Sequence, residues 1–207
     1  AMTCTLEVLL GDQAGERQDD GIPLQVRITI EQIDSTAADD TDADLDDLRV
    51  TLTVVDTPTV DFTADLLILY FNVLEGEEGA TLALRNPTDL AVQLTSESDR
   101  TLEGSKLSED EFDYAVRTGQ QGTPINNGAS FEILNVPASW LELQDIGVRA
   151  QSIAAVNDQG AAPFPQLSSS QKLVGTLPKC PDGRIEGIKY RDTDGDAETS
   201  DDRTVLG

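Results

Sequence analysis

Apolar residues in this chain recur at every second position far more often than at every third or fourth. Leu24, Val26, Ile28 and Ile30 alternate with Gln25, Arg27 and Thr29, and Val50, Leu52 and Val54 alternate with Thr51 and Thr53. That period gives an extended strand one face for a core and one for water. Residues 65–73 form a nearly continuous apolar run with two aromatics, the pattern of a central strand covered on both faces. Further strands are expected at 5–10, 81–84, 91–94, 130–136, 147–153, 172–177 and 185–190. Roughly ten short strands separated by Gly, Pro, Asn and Asp turns predict an all-β fold, an antiparallel β-sandwich of the jelly-roll or immunoglobulin-like class.

Helix is scarce. Ser108-Glu109-Asp110-Glu111-Phe112 has the form of an N-cap followed by an acidic first turn, and Pro137-Ala138-Ser139-Trp140-Leu141 could form another short helical turn. Both are expected as crossovers between strands. The stretch 157–170, rich in Gly, Pro, Ala and Ser, reads as a long surface loop. Pro178, Pro181 and Gly183 mark a hinge, which divides the chain into a sandwich domain at 1–178 and a linker with the start of a second module at 179–207.

Charge narrows the partners. With 39 acidic residues against 14 basic ones and no His, the net charge is −25. Nucleic acid and anionic membranes are disfavoured by repulsion, and cations become the natural partners. A solvating acidic surface, as in a secreted protein of high-salt water, is an equally good account of the overall excess. It does not explain why the acids cluster.

The densest cluster is Asp192-Thr193-Asp194-Gly195-Asp196-Ala197-Glu198, followed by Asp201 and Asp202. Acids at every second position fold many oxygens around one point, as a hard divalent cation requires. With Asp192 as position 1, Asp194, Asp196 and Glu198 occupy positions 3, 5 and 7. The turn position 6 is Ala197 rather than Gly, and position 12 is Arg203 rather than a bidentate Glu. Asp201 or Asp202 can supply the last carboxylate only where the loop closes early. A solvated acidic turn is the competing reading.

The segment from Gly183 to Asp196, Gly-Arg-Ile-Glu-Gly-Ile-Lys-Tyr-Arg-Asp-Thr-Asp-Gly-Asp, resembles the opening of the calcium-binding B-type repeats of bacterial serine-aspartate-repeat surface adhesins. Leu206-Gly207 lies near the place of that family's closing Leu-x-Gly. The resemblance covers about the last 25 residues, and Ala197 and Arg203 depart from it. It implies Ca²⁺ as the ligand, a secreted or cell-surface location, and a chain that stops inside a second module. The sandwich part has a looser similarity, carrying no residue roles, to modules of large secreted calcium-associated bacterial proteins.

A second acidic run holds Asp40, Asp42, Asp44 and Asp46 between two strands, either as calcium ligands that staple the connection or as a solvated hairpin tip. The run Glu75-Gly76-Glu77-Glu78-Gly79 is expected to be a hairpin turn. Cys4 and Cys180 lie near the two ends of the sandwich domain, and a disulfide between them fits an oxidising compartment. Two unpaired thiols are the alternative. No leader is visible and Ala1-Met2 has the look of a cloning remnant, so the natural chain is expected to begin earlier. No apolar run is long enough to insert in a membrane.

Catalytic machinery is hard to find. The absence of His removes the commonest general base and most zinc sites, and no phosphate-binding glycine loop is present. The chain is expected not to be an enzyme. The functional reading is a calcium-binding structural or adhesive module, with a surface polysaccharide or another protein as partner. The rival is a carbohydrate-binding module, in which Trp140 and Tyr114, with Phe131 and Phe164 as further candidates, stack on sugar rings.

Overall fold

The structure, a computed structural model, describes residues 5–12, 24–33, 45–78, 81–85, 92–94, 100–102, 112–120, 127–137, 140, 145–157, 170–176, 190–191 and 203–204. Among the described residues twelve strands appear: β1 (Thr5–Asp12), β2 (Gln25–Ile33), β3 (Leu45–Val55), β4 (Val60–Phe71), β5 (Ala83–Arg85), β6 (Val92–Leu94), β7 (Tyr114–Arg117), β8 (Gly128–Pro137), β9 (Asp145–Asn157), β10 (Gln171–Thr176), β11 (Tyr190–Arg191) and β12 (Arg203–Thr204). All pairings are antiparallel, and the order β5-β8-β3-β2-β1-β10-β9-β4-β7-β6 is continuous.

The ten strands work as two sheets because β1 belongs to both. Its first six residues pair with β2, from Thr5 opposite Glu31 to Leu10 opposite Val26. Gly11 and Asp12 then pair with Val174 and Leu173 of β10. The first sheet is therefore β5-β8-β3-β2-β1 and the second β10-β9-β4-β7-β6. One core is drawn from both, with Ile28, Ile30, Val50, Leu52, Phe131 and Ile133 on one side and Leu66, Leu69, Phe71, Val116, Val148 and Leu173 on the other. Each such burial contributes about 1.5–3 kcal/mol. The chain is an all-β sandwich of two sheets.

Strand β4 is the central strand that the apolar run predicts. It pairs with β9 on one side and β7 on the other. Leu66, Leu69 and Phe71 enter the main core, while Leu67, Ile68 and Tyr70 join Leu102, Phe112, Ala115 and Val174 in a second cluster on the outer face. Two adjacent outward residues require an extra residue in the ladder, and the register shifts between Leu66 and Ile68. The carbonyls freed there are satisfied: Leu66 O accepts from Thr118 Oγ1 at 2.8 Å, and Leu67 O from Thr118 N at 2.8 Å.

Some expectations change. No α-helix is present among the described residues. Phe112 precedes β7 in non-helical backbone and packs in the outer cluster, while residues 108–111 fall outside the described residues. Pro137 closes β8 rather than opening a helix. It pairs with Leu45 at the end of the β3–β8 ladder, past the stretch where β5 flanks β8, where a residue without an N–H is tolerated. Trp140 lies in a helical turn of 3₁₀ type, while Ala138, Ser139 and Leu141 fall outside the described residues. The Glu75–Glu78 turn is confirmed as a turn, with Gly76 at φ 94° and Glu77 N donating to Leu74 O at 3.0 Å. It is a crossover rather than a hairpin, because β4 and β5 belong to different sheets.

Candidate functional site

Strands β11 and β12 form a separate two-stranded sheet, with Tyr190 opposite Thr204 and Arg191 opposite Arg203. The candidate ligands Asp192, Asp194, Asp196, Glu198, Asp201 and Asp202 lie in the connection between them, outside the described residues. The donor set is all carboxylate, which suits a hard cation such as Ca²⁺.

The second acidic run is divided. Asp40, Asp42 and Asp44 lie outside the described residues, whereas Asp46 sits within β3, which begins at Leu45. Its neighbour Asp47 is 3% exposed and serves the fold. The β3–β8 register shifts between Asp46 and Leu48, and Asn135 across the bulge adopts φ 53°. Asp47 Oδ1 accepts from Asn135 N at 3.0 Å, which satisfies a donor that the bulge takes out of the ladder. Among the described residues no group of three or more acids or cysteines is placed to hold a metal ion.

Both members of the predicted sugar platform are core residues. Trp140 is 2% and Tyr114 1% exposed, with ring centroids 5.1 Å apart, and both pack on Phe71 at 6.1 and 5.3 Å. Phe131 is buried too, and Phe164 lies outside the described residues. Neither Trp140 nor Tyr114 has a ring face free for a sugar. Packing explains this: the three large rings fill one another's contacts in the core between the sheets.

The outward face of the first sheet carries an ion-pair row that no motif announced. Arg49 Nη2 approaches Glu132 Oε1 at 3.1 Å, and Arg49 Nη1 approaches Glu31 Oε2 at 3.6 Å. Arg85 Nε bonds the other oxygen of Glu132, and Arg85 Nη2 lies 3.8 Å from Asp47 Oδ2. Four strands are thereby tied across one face. Burial raises the pKa of Glu132, but hydrogen bonds and charge from Arg85 and Arg49 outweigh it and hold the carboxyl below its usual 4.5. A depressed folded-state pKa contributes stability that is present above the unfolded value and lost as pH falls through the folded one. Glu132→Gln is expected to cost about 1 kcal/mol at pH 7, with the difference from the parent shrinking below about pH 4 in urea titrations.

No protein-family model, curated protein or solved structure matches this chain.

Proposed function

We propose that this chain is a calcium-binding structural or adhesive module of a secreted or cell-surface protein, built from a jelly-roll sandwich followed by a calcium-binding segment. The observation that carries the reading is the pairing of Tyr190 with Thr204 and of Arg191 with Arg203. It brings together the two ends of the Asp192–Asp202 run. It also makes Arg203 a strand residue, so the last carboxylate falls to Asp201 or Asp202. Many carboxylates in one short connection repel one another unless a cation lies among them. The bound ion supplies charge neutralisation and stiffens the second module.

Jelly-roll topology is supported by the order of strands. From β3 to β9 the chain changes sheets at every step but one, β6 to β7, which is the return expected of strands wound around a sandwich. The lack of His supports a non-enzymatic role. Burial of Trp140 and Tyr114 weighs against a stacking carbohydrate module. For the disulfide, β1 and β10 are antiparallel partners, so Thr5, next to Cys4, and Thr176, four residues before Cys180, face the same end of the sandwich. Such an arrangement favours a Cys4–Cys180 bond.

Calorimetric titration with CaCl₂ tests the metal reading. Asp194→Ala/Asp196→Ala should lose one equivalent of bound Ca²⁺ while the sandwich unfolds at an unchanged temperature. With no Gly at position 197, the affinity is expected in the roughly 10⁻⁴–10⁻³ M range of extracellular modules. Unchanged stoichiometry would place the ion elsewhere, with Asp40, Asp42 and Asp44 the next acids to replace.

A further inference from the structure

Only 14 of the 207 residues are basic, and three of them fall in one cross-strand row on the outer face of the second sheet. Arg117 of β7 is opposite Ile68 of β4, Ile68 is opposite Arg149 of β9, and Arg149 is opposite Lys172 of β10. Residues directly opposite on antiparallel strands project from the same face. That face is the outer one, because Ile68 belongs to the outer cluster while the neighbours Leu69, Val116, Val148 and Leu173 all enter the main core. Arg117 is exposed, and Arg149 and Lys172 are half-buried. None of the three forms an ion pair among the described residues, in contrast to Arg49 and Arg85 on the opposite sheet.

Three cations in line, with no carboxylate paired to them among the described residues, present a local positive strip to an anion. With strands about 4.8 Å apart, Arg117 and Arg149 stand about 10 Å apart at their backbones and Lys172 one strand further. We propose that this row binds a carboxylated polysaccharide lying across the strands. The central strands β4 and β9 are hydrogen-bonded on both sides, so they offer no backbone for an added peptide strand. What remains is side-chain chemistry: guanidinium forks suited to the repeated carboxylates of an acidic glycan, with an ammonium one strand beyond them. The net charge of −25 opposes the approach of a polyanion at long range. At 0.1 M salt the screening length is about 10 Å, so the local row governs contact and binding is weak but site-specific.

The test uses the whole chain with polygalacturonate as probe, in 0.1 M NaCl with a calcium chelator, so that its outcome is independent of the metal loop. Affinity electrophoresis should show retardation by polygalacturonate and none by neutral dextran. Arg117→Ala/Lys172→Ala should weaken binding about tenfold at an unchanged unfolding temperature. The charge-preserving Arg117→Lys/Lys172→Arg should retain it. Absence of binding by the parent chain, or undiminished binding by the alanine pair, overturns the proposal. Equal retardation by polyglutamate also overturns it, in favour of an acidic protein as partner.

Discussion

Trp140→Ala is expected to lower the stability of the sandwich by about 3–5 kcal/mol, the range for removing a large aromatic from a packed core. The side chain is 2% exposed and lies within 6.1 Å, ring centre to ring centre, of both Tyr114 and Phe71. Little backbone freedom is available to close the cavity, because Phe71 and Tyr114 are themselves opposite one another in the β4–β7 ladder. The indole Nε1 has no hydrogen-bond partner among the described residues. Trp140→Phe should therefore be milder, since it removes a buried donor as well as volume. Urea unfolding followed by far-ultraviolet circular dichroism measures both variants. A near-neutral Trp140→Ala that lost sugar affinity instead would restore the stacking-platform reading.

Reduction of a Cys4–Cys180 disulfide is expected to have an effect of similar size. Closing so long a loop removes roughly 4–5 kcal/mol of unfolded-state entropy in the chain-entropy account. Denaturant midpoints with and without reductant should differ accordingly, and Cys4→Ser should reproduce the reduced behaviour without reductant. Thiol titration of the denatured, unreduced chain settles the pairing first: two reactive thiols would sink it.

Alternation made β2 and the middle of β3 legible, because Val26, Ile28, Ile30, Val50 and Leu52 carry the period without interruption. It also marked β4 as central. The bulge at Leu67 was hidden in the same run, since a row of Leu and Ile looks alike in either register. β7 was missed: at four residues, Tyr114–Arg117 is too short for a period, and the acids ahead of it mimic a helix start. The outward position of Glu132 could be read between Phe131 and Ile133. Its partners could not, because Arg49 and Arg85 are 83 and 47 residues away and meet it only through strand register. The same blindness hid the cationic row. Asp47 follows directly on the acidic run that ends at Asp46, yet its role comes from Asn135, 88 residues distant. Trp140 and Tyr114 were ambiguous for a different reason: one aromatic side chain suits a core or a sugar equally well, and only burial distinguishes them.

The sharing of β1 between the sheets also has a mechanical consequence. β1 and β10 are antiparallel, so the chain enters the sandwich ahead of Thr5 and leaves it after Thr176 at the same end. Tension transmitted along a polymer of such modules would pull those two points apart across the strands. Hydrogen bonds between β1 and β2 and between β10 and β9 would then be loaded one after another, as in a zipper, rather than together as in shear. A covalent link between Cys4 and Cys180 would carry that load itself. The sandwich would then hang beside the line of force and keep its shape while its neighbours are stretched.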